Sequence, residues 1–171
     1  MSTRRPWELV DPAQPISHVL KHTRARVGDV VIARIDCESQ LVTGTRRLRG
    51  FADAGLSAGH DVGLQLDLST QCREIANSLS GERAFVDGGW EVPSGVFITL
   101  VCREGRVVPT ARELGWLLAW RYANHLTATF NGDVYAVTPH GWIGSGDKRC
   151  GLTPTVRPDP PRRLSVVRPV A

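Results

Sequence analysis

Cys102, Glu113 and His60 are the residues of this chain whose types could assemble a hydrolytic site. Cys102 closes an apolar run and precedes a helix start, where the positive end of the helix dipole would favour a thiolate nucleophile. Glu113 could serve as a general base or ligand, and His60 has the side chain most often used for proton transfer. Each also has a plainer reading. Cys102 fits a buried thiol, with no histidine near enough in sequence to be assigned as its base. Glu113 lies three residues after Thr110, so T-A-R-E reads as a capping box. Asp53, His60 and Asp61 are ligand-type side chains in a Gly-rich loop over residues 50–63, and such a trio is also what a solvated loop looks like. His125 suits a helix C-terminus and His140 a packed turn beside Trp142.

Other chemistries leave no trace. The four cysteines, Cys37, Cys72, Cys102 and Cys150, form no C-x-x-C, so neither a zinc ribbon nor a redox motif is written here. There is no G-x-x-x-x-G-K-S, no G-x-G-x-x-G, and no H-x-E with P-C-x-x-C of the zinc deaminases. No cofactor and no metal are expected. Recognition is the alternative use of the unusual residues. Trp116 and Trp120 stand one helical turn apart, Trp90 sits in a Gly-rich loop, and Arg46, Arg47, Arg49, Arg162 and Arg163 are cations able to hold phosphates.

The elements that position these residues centre on one strand. Residues 96–102 are apolar and β-branched without alternation, as in a central strand covered on both faces. Pro109 ends the following loop and a helix is expected from Thr110 to about His125. On it Leu114, Leu118 and Tyr122 share one stripe, expected against the sheet. Trp116, Trp120 and Ala123 share another, so the helix is either buried against two layers or offers its tryptophans to a partner, and the interface is the expectation. Upstream, a short helix is expected over 16–26, then strands over 30–35 and 40–48 as an antiparallel hairpin. A second helix should start at Ser69 or Thr70 and run to Leu79, and residues 80–95 read as a long loop. Asn131-Gly132-Asp133 signals a tight turn between 126–130 and 134–138, hence a second hairpin.

The fold class expected is therefore α/β (α+β): one domain with a central mixed sheet, built from two β-hairpins and a central strand, with two main helices. Residues 1–28 form an N-terminal segment, 29–145 the core, and 146–171 a basic Pro-rich tail. The chain has 171 residues, enough for one well-buried core. No apolar run approaches the ~18 residues of a membrane span, and no signal-peptide stretch follows the N-terminus, so a cytoplasmic location is expected. The 21 basic residues are nearly all arginine, which with the abundant Ala, Gly and Val suggests a high-GC bacterial genome. The net charge of +4 hides an asymmetry. Lys and Arg outnumber Asp and Glu 9 to 5 over residues 1–50 and 6 to 1 over 148–171, but are outnumbered 6 to 11 between. Basic ends flank an acidic middle.

Three patches, I-D-C-E-S-Q-L-V, S-T-Q-C-R-E-I-A-N-S-L and P-T-A-R-E-L, in this order and spacing resemble the JAB/JAMM superfamily, in particular its RadC-like branch, over about residues 29–143. Active members of that family hold zinc with H-x-H at the end of the central strand and an Asp in a following S-x-x-D, while an upstream Glu activates water. Laying Thr110-x-x-Glu113 on S-x-x-D puts Leu100 and Cys102 at the histidine positions, and Leu100 cannot bind a metal. A one-residue shift gives Val101 and Arg103. The resemblance thus implies the fold without the peptidase chemistry. The expected function is a non-catalytic, metal-free JAB-like interaction module, a pseudoenzyme. It would bind a protein partner or a second copy of itself, and nucleic acid through its basic ends. The alternative is a small hydrolase around Cys102, Glu113 and His60.

Overall fold

The computed structural model describes residues 5–158. Helix α1 (Ala13–Thr23) is followed by β1 (Val30–Asp36), β2 (Val42–Leu48), α2 (Ala54–Ala58) and α3 (Val62–Leu79). Then come β3 (Phe85–Val86), β4 (Gly89–Trp90), β5 (Gly95–Cys102), α4 (Ala111–Ala123), β6 (Thr129–Thr138), β7 (Gly141–Gly144) and β8 (Cys150–Gly151). Six strands form one mixed sheet in the order β2-β1-β5-β6-β7-β8, while β3 and β4 make a separate small hairpin. The α/β class read from the sequence is the observed one.

β5 is the sheet's centre, and all eight of its residues are buried. Strand pairing explains why alternation is missing: β1 lies antiparallel on one side and β6 parallel on the other, with helices on both faces. Val31, Ala33, Ile35, Val96, Ile98, Leu100 and Cys102 pack with Ile16 and Val19 of α1. Val30, Ile32, Phe97 and Val101 pack with α2, α3 and α4. No helix among the described residues is long and apolar enough to cross a membrane.

The first hairpin forms as expected, with Val30 opposite Leu48. The second differs. Asn131-Gly132-Asp133 is not a turn but a bulge inside β6, which runs on from Thr129 to Thr138 beside β5. A Cβ on Gly132 would lie 1.9 Å from the Phe97 carbonyl oxygen, so glycine is there for close strand approach, the other use of Gly in a strand. The hairpin falls one step later, between β6 and β7 across Pro139 and His140.

The helices shift too. α3 begins about two turns before Ser69, because Asp61 caps it and accepts from Leu64 N at 3.1 Å. Its first turns carry exposed Val62, Leu64 and Leu66, so apolar periodicity could not reveal them. α4 has both halves of its capping box, but its faces are the reverse of those expected. Trp116 and Trp120 are 0% and 3% exposed, whereas Leu114, Leu118 and Tyr122 are 52%, 42% and 55% exposed. The cause is a crossing of two glycines: a Cβ on Gly115 would lie 1.8 Å from Gly55 O, so α2 presses onto α4 there and the tryptophan stripe becomes core. Trp120 stacks on Phe97 at 5.2 Å and donates to Thr99 Oγ1 at 2.7 Å. Residues 146–158 add β8, a Trp142 Nε1 bond to Thr153 O at 2.8 Å, and Val156, which is 2% exposed.

Candidate functional site

At the carboxyl end of β5, where α/β proteins place their chemistry, the chain has closed the space with its own side chains. Arg103 turns inward and donates through Nε to Glu113 Oε1 at 2.7 Å. Its Nη1 reaches the carbonyls of Glu104 (3.0 Å) and Arg106 (3.2 Å), and Nη2 that of Val108 (2.5 Å). Glu113 Oε2 accepts from Thr110 N at 2.6 Å and from the Thr110 hydroxyl at 2.7 Å. The two side chains are 7% and 0% exposed. A planar guanidinium suits this task, since its fork satisfies three loop carbonyls and one carboxylate together. Glu113 is therefore bound up in holding the loop and the helix start.

The other hydrolytic candidates are not brought to it. Cys102 and Leu100 face α1, on the opposite side of β5 from α4; on the α4 side lie Phe97, Thr99 and Val101 of the strand and Arg103 just after it. Burial, with the Asp29 carboxylate adding to it, pushes the Cys102 thiol up to about 12, so it is protonated near neutrality and is no nucleophile. His60 is exposed between α2 and α3. Asp53 pairs with Arg112 and Asp61 caps α3, so the loop trio has separate structural roles. Among the described residues no group of three or more His, Cys, Asp or Glu is placed to hold a metal ion.

Two surfaces are built differently. The first is a cavity of about 570 Å³ over the β5/β6 bulge, walled by Leu9, Val96, Ile98 and Leu117 and floored by Asp133, Tyr135, Asp147 and Arg149. Tyr135 donates its hydroxyl to Asp147 Oδ2 at 3.0 Å, and Arg149 Nε donates to the same oxygen at 2.8 Å. Asp133 accepts from the backbone of Val134, Gly146 and Asp147 at 2.8, 2.7 and 3.0 Å. Burial raises the Asp133 carboxyl and the neighbouring Asp147 charge adds to it, against those three hydrogen bonds. Burial and Asp147 likewise keep the Tyr135 hydroxyl protonated. The network clamps the 145–149 loop onto the sheet. These four residues are not legible as a set in the sequence, because N-G-D by itself signals a turn; the second Gly-Asp, in S-G-D-K-R, is the available signal.

The second surface is apolar. On the β3–β4 hairpin Phe85 and Trp90 are 61% and 54% exposed and meet edge to face at 5.2 Å, with Arg83 over the Trp90 ring at 5.9 Å. Trp90 shares a cleft of about 410 Å³ with Arg121, His125 and Leu126. Arg83 N donates to Leu126 O at 2.9 Å, which ties the hairpin to the end of α4. In this cleft His125 bonds Asn131 Oδ1 (2.6 Å) through Nε2 and the Thr127 hydroxyl (2.8 Å) through Nδ1, a pairing that suits a neutral ring. Burial lowers its pKa, with the Asn131 bond opposing. Exposed Leu114, Leu118 and Tyr122 carry the apolar surface along α4.

Of the remaining recognition candidates, Trp116 and Trp120 are core and do not offer a face to a partner. Arg47 is held by Asp29 at 2.6 Å and by Thr23 O at 2.9 Å, while Arg46 and Arg49 are exposed. Arg162 and Arg163 lie outside the described residues. No family model, no curated protein and no solved structure matches the chain.

Proposed function

We propose that this chain is a non-catalytic interaction module, similar in arrangement to a metal-free JAB-like domain, that binds a second protein chain through the Trp90 hairpin and the outer stripe of α4. The observation that carries this reading is the internal saturation of the β5–α4 loop. Arg103, Glu113 and Thr110 bind one another and the loop carbonyls, which leaves no group there to act on a substrate. The apolar surface supports the binding half of the proposal, because Phe85, Trp90, Leu126, Tyr122, Leu118 and Leu114 are all exposed and run along one helix and the hairpin tied to its end.

The simplest occupant is a second copy. Light scattering on the purified full chain tests it, beside the variant Trp90→Ser/Leu118→Ser/Tyr122→Ser. The wild type should self-associate with rising concentration, and the variant should stay monomeric with an unchanged melting curve. A wild type that remains monomeric into the high micromolar range, or a variant that associates like it, would remove this surface from the account.

A further inference from the structure

The acidic middle and basic ends of the sequence acquire a meaning when the chain is folded. After β8 the chain returns past Pro154 and runs beside residues 26–27, where Arg26 and Arg157 form a parallel bridge and Val27 N donates to Arg157 O at 3.5 Å. Arg26 and Arg157, one from each basic stretch, therefore meet. Between them lies a basin of about 510 Å³ lined by Lys21, Arg24, Arg26 and Arg157, with the hydroxyl-bearing Ser17 and Thr155. No carboxylate lines it. The four cations are exposed, and none has an ion-pair or side-chain hydrogen-bond partner among the described residues. The nearby carboxylate, Asp29, is buried and already engaged by Arg47 and by Arg26 N.

Lys21 and Arg24 alone would be ordinary, since cations suit the C-terminal end of a helix such as α1. Arg26 and Arg157 are not explained that way. They come from two other segments about 130 residues apart, and the fold brings their exposed cations to one basin, where an anion would bridge them. We propose that this basin is a phosphate-binding site that takes the phosphodiester backbone of a nucleic acid. The basin contains no aromatic side chain on which a base could stack and no Asn or Gln to read a base edge, so contact should be to phosphates and independent of sequence. The chain also continues from Pro158, beside Arg157, into a sequence with Arg162, Arg163 and Arg168.

The test is fluorescence anisotropy of the full chain with a labelled 20-base-pair duplex of arbitrary sequence, read between 50 and 200 mM salt. Four phosphate contacts correspond to a slope of log K against log salt of about −3.6, hence a fall of roughly 100-fold across that range. The variant Lys21→Gln/Arg24→Gln/Arg26→Gln/Arg157→Gln should lose most of this affinity and its salt slope. R26Q and R157Q singly, on separate segments, should each flatten the slope by about 1. The control R73Q/R106Q, which removes two exposed charges elsewhere, should bind as wild type. Equal loss in the control, or an unchanged slope in R26Q and R157Q, would overturn the assignment. So would a chain truncated after Pro158 that loses all binding while the quadruple variant keeps it, for the tail would then be the contact. Displacement of the duplex by micromolar inorganic phosphate or pyrophosphate would overturn nucleic acid as the ligand.

Discussion

Replacing Glu113 by alanine separates a structural carboxylate from a functional one. In the native protein Glu113 is wholly buried, balances the Arg103 guanidinium, and accepts three hydrogen bonds. Its removal leaves Arg103, 7% exposed, with an uncompensated charge, and deletes half of the α4 capping box. Breaking a buried pair from one side costs about 3–5 kcal/mol, which for a domain of this size lowers the melting temperature by about 6–20 °C. Thermal or urea unfolding followed by circular dichroism measures it. The double variant Arg103→Met/Glu113→Leu removes both charges and should recover only the part of the loss due to the unpaired charge, because the three loop carbonyls and the Thr110 N–H that the pair satisfied lose their partners. A functional carboxylate behaves in the opposite way, since its removal is neutral or stabilising. A Glu113→Ala cost below about 1 kcal/mol would therefore refute the closed-loop argument and reopen the hydrolase reading.

Two further outcomes test the fold and the cleft. Trp116→Ala should cost about 3–5 kcal/mol as a core truncation, and Leu118→Ala should stay within about 0.5 kcal/mol of wild type; chemical denaturation that ranks them the other way would mean α4 is rotated. His125 should titrate with a midpoint below its ordinary 6.5 when followed by NMR, because burial disfavours the imidazolium. As the folded value lies below the unfolded one, the contribution of the neutral ring to stability is fully present above pH 6.5 and is lost as the pH falls through the folded midpoint. A midpoint at or above 6.5 would contradict the buried neutral ring.

What could be read from the sequence was what neighbours in the chain decide. The T-A-R-E box formed as written because its partners are three residues apart, and the unbroken apolar run of β5 required cover on both faces whatever covered it. Tertiary contacts decided the rest. Two apolar stripes on α4 are equivalent to a periodicity argument, and the choice between them was made by Gly55, far upstream in the chain, whose lack of a side chain lets α2 reach Gly115 and bury Trp116 and Trp120. N-G-D is a turn signal in isolation, yet beside β5 the same glycine is what allows β6 to pass Phe97 without a break. The basic ends were visible as a count, but only the return of residues 154–157 to Arg26 brought Arg26 and Arg157 to one place, since charges that are sequence neighbours of nothing useful can meet only when the sheet between them is folded.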